Sequence, residues 1–268
     1  MPIEKSEGVI LKSFNWSESS RTVVFFTRRF GKLPLVDKGG RSFKSKRGRL
    51  MPFTRIDLTF YASEKESSGY LSDIEPLHEF SFEHEGTLGR LAYGSAACEL
   101  CYVLLPQEHA QPDLYDYFLT YLDHIDQSDR RALPALFLTF FLRLISHLGY
   151  HPSLSFCAGC GKELEKILNE ENQAGNDPIS FGPERGGIVC AACKRAGEYY
   201  IPLPAAEVRR MSKLQRASLH EAAVEFMGYE DATRLLDALM KFLQYHAGVG
   251  ADLKSLDFLE KLKRTQIG

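Results

Sequence analysis

The sequence predicts an α+β protein of more than one domain: an N-terminal five-stranded closed β-barrel, then a C-terminal helical bundle carrying an inserted four-cysteine module. Three observations point there. From Glu7 to about Leu77, β-branched and aromatic residues are broken by turn signals at short intervals. After Pro76 the apolar residues recur with a helical period. Between Cys157 and Cys193, two Cys-x-x-Cys pairs, Cys157/Cys160 and Cys190/Cys193, bracket a short polar insertion. The boundaries that follow are 1–80 for the barrel, 81–152 for the first part of the helical domain, 153–200 for the cysteine module and 201–268 for the second helical part.

At 268 residues and 44% hydrophobic the chain can bury a substantial core. No apolar run approaches the roughly 20 residues of a membrane span, and Met1-Pro2-Ile3-Glu4-Lys5 lacks the order of a signal peptide. A cytoplasmic location is expected. Six cysteines, four of them in metal-type pairs, suit a reducing compartment better than a disulfide scaffold. The net charge of -2 excludes no class of partner, because 33 basic and 35 acidic residues nearly cancel and their distribution matters more than their sum.

Within the β region five strands are expected, near Val9 to Phe14, Arg21 to Arg29, Lys32 to Asp37, Ile56 to Tyr61 and Tyr70 to Glu75. So many short strands in about 75 residues suggest a small closed barrel. The run Val23, Val24, Phe25, Phe26 is too continuous for an alternating strand and predicts cover on both faces. The connection from Lys38 to Ile56 carries Lys38, Arg41, Lys44, Lys46, Arg47, Arg49 and Arg55 with Phe43 and Phe53 among them and no acid. Such a segment can neutralise phosphates and release counterions while its aromatics stack on bases. Single-stranded nucleic acid is its natural ligand; the plainer alternative is a solvated charged loop.

In the helical region a first helix spans Glu83 to Leu105, its face formed by Leu88, Leu91, Ala92, Ser95, Cys98, Tyr102 and Leu105 and its end set by Pro106. A second runs from Leu114 to Ile125. A third begins near Ala132 and is apolar over most of its circumference, which places it centrally. Cys98 and Cys101 form another Cys-x-x-Cys, but inside a helical pattern, where small buried side chains are the expected role. Beyond Cys193, helices are expected at Ala205 to Arg210, Gln215 to Met227 and Asp231 to His246.

The pairs Cys157/Cys160 and Cys190/Cys193 suit one tetrahedral zinc ion. Each pair grips metal from a tight knuckle, and Gly161 supplies the permissive backbone after Cys160. With Cys157, Cys160, Cys190 and Cys193 all ligating, no position is left for water, so the zinc reads as structural. The alternative is two disulfides or unrelated thiols. The separation between pairs exceeds that of common ribbons, which the Asn/Gly/Asp/Pro-rich tract from Asn169 to Pro178 accounts for as a loop. Ile179, Phe181, the turn Pro183 to Gly187, Ile188 and Val189 then read as a hairpin delivering Cys190.

No catalytic constellation emerges. A phosphate-binding loop and a nucleophile elbow are absent, and His220-Glu221 lacks the second histidine of a zinc protease. Asp123, His124, Asp126 and Asp129 imitate a nuclease cluster but lie at a helix end, where exposed carboxylates are ordinary. The chain is expected not to be an enzyme.

Taken together, Glu7-Gly8-Val9-Ile10-Leu11, the Thr22 to Thr27 strand closing with Arg28 to Lys32, and Lys38-Gly39-Gly40-Arg41 leading to Leu50-Met51-Pro52-Phe53 resemble the N-terminal domain of the RecO family. The resemblance continues through Tyr93-Gly94-Ser95, Glu99-Leu100, Leu148-Gly149-Tyr150, the four cysteines and Leu253 to Leu259, so it covers nearly the whole chain. It implies an oligonucleotide-binding (OB) barrel, a helical domain and an inserted zinc module in a bacterial recombination mediator associated with the nucleoid. It further implies binding of single- and double-stranded DNA, strand annealing, association with RecR, and help for RecA in replacing single-stranded-DNA-binding protein. A zinc-stabilised scaffold that binds only proteins is the alternative from a different class.

Overall fold

The computed structural model describes residues 2–15, 17–40, 52–62, 69–83, 85–171, 178–248, 254–255, 257 and 261. These fall into two compact units, Met1–Gln127 with Leu253–Gly268, and Ser128–Asp252. Among the described residues no helix is long and apolar enough to cross a membrane.

In the first unit, β1 (Ile3–Asn15), β2 (Arg21–Thr27), β3 (Gly31–Asp37), β4 (Thr54–Tyr61) and β5 (Gly69–Glu79) close a barrel in the order β1-β2-β3-β5-β4. All five expected strands are present. The long β1 serves two neighbours: its first half pairs with β4, from Ile3 opposite Tyr61 to Val9 opposite Arg55, and its second half pairs with β2. A register shift between Ile10 and Lys12 marks a bulge that lets one strand bend around the barrel. Ile10, Val23, Phe25, Leu33, Leu35, Ile56, Leu58, Phe60 and Leu71 fill the interior.

The continuous apolar run in β2 has the double cover its composition predicts. Val23 and Phe25 join the barrel core, while Phe26 stands on the outer side against Tyr115 and Phe118, with ring centroids 5.4 and 6.0 Å away. Those two rings belong to α2 (Pro112–Gln127), which follows α1 (Thr87–Leu104). α1 ends where expected, with Leu105 extended ahead of Pro106. Its buried face differs from the expected stripe. Leu88 is 52% exposed, whereas Tyr93, Gly94, Ala96, Ala97, Leu100 and Cys101 are buried. Small residues win because they allow close approach: a Cβ on Gly94 would stand 3.0 Å from the Phe53 ring and 3.1 Å from that of Phe82.

The second unit is built on α3 (Leu133–His147), whose residues Leu133 to Leu142 are all buried. A short 3-10 turn, Arg130–Ala132, leads into it, and Gly149, with φ of 88°, leads the chain away. α4 (Leu164–Glu171) was not anticipated; Leu164, Ile167 and Leu168 form its buried stripe. β6 (Ile179–Gly182) and β7 (Gly187–Val189) form the expected hairpin, and β8 (Ile201–Leu203) adds a third strand in the order β7-β6-β8. α5 (Ala205–Arg216), α6 (Leu219–Ala222) and α7 (Tyr229–Ala247) complete the unit around α3. The single helix expected from Gln215 to Met227 is thereby corrected. Ala217 is extended, and Ser218 starts a new helix through a capping box in which its hydroxyl accepts from the Glu221 N–H and the Glu221 carboxylate accepts from the Ser218 N–H.

Two substitutions check this packing. Phe26→Ala should cost about 3–5 kcal/mol in chemical denaturation, because it empties a fully enclosed aromatic site. Leu88→Ala should change stability by less than about 0.5 kcal/mol; a loss comparable to Phe26→Ala would restore the originally expected face of α1.

Candidate metal centre and nucleic-acid interface

The chain leaving α3 makes its first knuckle by local hydrogen bonding. Gly161 N–H donates to Cys157 O at 2.8 Å, and Cys157 N–H donates to Lys162 O at 2.7 Å. Gly161 sits at φ 75°, the left-handed conformation expected of this turn. Cys190 follows directly on β7, and the 3-10 turn Ala191–Cys193 returns the second sulfur, with Cys193 N–H donating to Cys190 O at 3.0 Å.

Backbone contact brings the two knuckles together. Ser153 N–H donates to Gly186 O at 2.8 Å, Ile188 N–H to Ser153 O at 2.9 Å, and Ala158 N–H to Ile188 O at 2.8 Å. Gly187 makes this approach possible, since a Cβ there would lie 2.2 Å from Ser153 O. Gly159 plays a similar part: a Cβ would lie 3.0 Å from the Cys193 sulfur. Neither glycine stood out in the sequence; their only signal is their position beside the knuckle and at the end of the hairpin turn.

As a result the sulfurs of Cys157, Cys160, Cys190 and Cys193 all lie within 4.8 Å of one another. Cys157 Sγ is 3.7 Å from Cys190 Sγ, and Cys160 Sγ is 3.8 Å from it. A tetrahedron of thiolates with metal–sulfur bonds of about 2.3 Å has edges of about 3.8 Å, so the four cysteines can hold one metal ion. The separations are far longer than a disulfide bond of about 2.05 Å. Burial opposes ionisation of the Cys157 thiol, yet N–H groups of Cys190, Cys160 and Gly159 directed at its sulfur hold its pKa at about 6. Hydrogen bonding with Cys190 and Cys160 pushes Cys193 up to about 12. One corner is thus poised as a thiolate, and a metal ion binding there would displace protons from the others.

Other candidate groups are otherwise engaged. Cys98 and Cys101 are buried, and burial pushes the Cys98 thiol up to about 12 and raises that of Cys101 well above the ordinary thiol value. Neither environment favours a reactive thiolate. In the acidic stretch, Asp126 accepts from the Phe82 N–H, and Asp129 accepts from the Arg131 N–H and guanidinium, which hold its carboxyl at about 2. Among the described residues, the four cysteines are the only group of three or more potential ligands whose donor atoms converge.

The basic connection lies between β3 and β4. Arg41, Lys44, Lys46, Arg47 and Arg49 fall outside the described residues, as does Phe43; Lys38 and Arg55 fall within them. Lys38 is exposed, with its ammonium 4.0 Å from the centre of the Tyr70 ring. Arg55 gives Nε and Nη2 to Glu7 Oε2 at 3.1 and 2.7 Å. Phe53, read as an aromatic available for stacking, is instead buried against Phe82, with ring centroids 4.9 Å apart.

A barrel with a cationic connection, joined to a helical unit bearing four convergent thiols, defines an architecture shared with recombination proteins. Family models described as "Recombination protein O N terminal" and "Recombination protein O C terminal" match residues 1–80 and 85–257. Proteins named DNA repair protein RecO are similar along nearly their full lengths. That of Symbiobacterium thermophilum is 29% identical over 264 residues, covering 98% of this chain and 99% of its own. Those of Desulfatibacillum aliphaticivorans and Geobacter sulfurreducens are 30% and 31% identical, covering 98% and 96% of this chain and 99% and 98% of theirs. The chain belongs to the RecO family of DNA repair proteins.

The knuckle geometry makes a graded prediction. Gly161→Ala should cost only about 1–2 kcal/mol, because open space surrounds the left-handed position. Gly187→Ala should be clearly more damaging, lowering both the melting temperature and the metal retained after dialysis against a chelator. Equal effects of the two would show that the Ser153 contact does not bring the knuckles together.

Proposed function

We propose that this protein is a recombination mediator that binds single- and double-stranded DNA without sequence specificity, promotes annealing, and acts with a RecR-type partner to load RecA onto DNA covered by single-stranded-DNA-binding protein. The observation that carries this reading is family membership across the two matched regions, together with the acid-free basic connection on a barrel of the type that binds oligonucleotides. The DNA contact is assigned to Lys38, Arg41, Lys44, Lys46, Arg47 and Arg49. Arg55 joins it where a phosphate displaces Glu7. Backbone phosphates carry no sequence information, so binding through these cations is indifferent to sequence.

In this reading the metal is one zinc ion, with a structural role. A site of four thiolates suits zinc, leaves no open coordination position, and contributes its binding free energy directly to folding of the module. Residues 1–80 hold DNA, 153–200 form the zinc module, and 81–152 with 201–268 supply helical surfaces for protein partners. No turnover of a small substrate is assigned.

Replacing Lys44, Lys46, Arg47 and Arg49 together with alanine should weaken binding of a labelled oligonucleotide of any sequence. It should also flatten the dependence of log affinity on log salt by up to about 2.8 for single strands. Unchanged affinity and slope would remove the connection from the DNA site, and a wild type that fails to bind at low salt would favour a scaffold that engages only proteins. For the metal, the purified wild type should contain one zinc per chain, while Cys157→Ser and Cys190→Ser should lose it and melt at lower temperature. Stoichiometric zinc retained by both variants would contradict the ligand assignment.

A further inference from the structure

We propose that Lys12, Phe14, Lys32 and Tyr102 form a second contact for single-stranded nucleic acid, separate from the basic connection, in which the ammonium groups take a backbone phosphate and the rings take a base. The inference rests on the DNA-binding reading above and adds a base-stacking surface to it.

Lys12 and Phe14 are two positions apart on β1 and so share a face. Tyr102 stands in the last turn of α1, its ring centroid 5.9 Å from that of Phe14 at an interplanar angle of 51°. Lys12 Nζ lies 4.6 Å from the centre of the Tyr102 ring and 5.2 Å from that of Phe14. From β3, Lys32 Nζ approaches the same tyrosine to 5.6 Å and donates to Tyr102 O at 2.8 Å. Phe14 is 39% exposed.

The described arginines of the barrel differ from these two lysines in having carboxylate partners. Arg21 meets Asp37, Arg28 meets Asp116, Arg29 meets Glu4 and Arg55 meets Glu7. Among the described residues, Lys12 and Lys32 meet only rings and a carbonyl. Glu99, one turn earlier on α1, accepts the N–H groups of Lys254 and Ser255. Two cations therefore converge on one tyrosine without an anion between them, and desolvation already lowers the pKa of Lys32. A phosphate would supply the missing charge.

Phosphate alone would leave Phe14 unexplained. An exposed ring beside a phosphate site suits a ligand that carries a flat apolar face next to each phosphate, which is an unpaired nucleotide. In a duplex the base faces are already stacked, so the contact selects single strands. The competing account is that the lysine stems merely cover exposed aromatic surface while their charges stay in water. That account predicts an effect of substitution on stability and none on the choice between single strands and duplex.

The test is fluorescence anisotropy of a labelled oligothymidine and of a labelled duplex across a salt series, with wild type, Phe14→Leu and Lys12→Gln. Phe14→Leu should weaken single-strand binding about 5- to 100-fold with the salt slope unchanged, leaving duplex binding as in wild type. Lys12→Gln should reduce the single-strand slope by about 0.7. Phe14→Leu binding both ligands as wild type does would overturn the inference while the basic connection keeps its role. Equal weakening towards both ligands would overturn it too, since a folding defect has no preference. Wild-type protein that binds neither at low salt would instead remove the DNA-binding reading on which it depends.

Discussion

The N-terminal unit depends on β2 being buried on both faces. A strand that read Val23, Val24, Phe25, Phe26 in a barrel alone would leave half of that apolar surface in water, at a cost on the order of 1.5–3 kcal/mol for each large side chain. Phe26 therefore requires a helix outside, and Tyr115 and Phe118 of α2 supply it. The basic connection starts beside Asp37, fully buried and paired with Arg21, and returns at Phe53, buried against Phe82 and beside Gly94. Asp37 and Phe53, which flank the cationic segment on its two sides, are thus both held in the interior.

The metal module follows a different logic. Strands of 4, 3 and 3 residues make too small a sheet to be stable alone. Backbone contact between Ser153 and the Gly186 to Ile188 segment brings the sulfurs to metal-bonding separations, and Gly187 makes the contact sterically possible. The energetic roles divide accordingly. Hydrogen bonds and glycine define where the sulfurs stand, and an ion bound there would add its binding free energy to the folding of a small core.

The features legible in the sequence were those with a repeating physical signature. Five strands, the double cover of β2, the central position of α3 and the convergence of four cysteines each follow from a periodicity or a spacing. What escaped lacked one or carried a misleading one. The stripe of α4, Leu164, Ile167 and Leu168, was hidden by the adjoining polar tract. β8 contains Pro202, which argues against a strand except at an edge, and an edge is where it lies. The α1 stripe chosen by hydrophobicity failed at Leu88 because close packing favoured Gly94, Ala96 and Ala97 instead. Charge pairing has no signature in the sequence either: Arg55 donates to Glu7, 48 residues away in the chain.

That pairing bears on how a protein of net charge -2 can address a polyanion. The exposed ion pair of Arg28 with Asp116 adds little stability, since such pairs are worth about 0–1 kcal/mol. Together with the Arg29–Glu4 and Arg55–Glu7 pairs, it neutralises the barrel surface locally. Among the described residues, the Lys12–Lys32 cluster stands without a carboxylate partner, and the connection carries its cations without an acid in its sequence. Screening over about 8–10 Å at physiological salt keeps distant carboxylates from cancelling either. A few concentrated cations hold fewer phosphates than a uniformly basic surface does. On the proposed reading that limit is functional, because a mediator must grip DNA firmly enough to align it and loosely enough to yield it to the next protein.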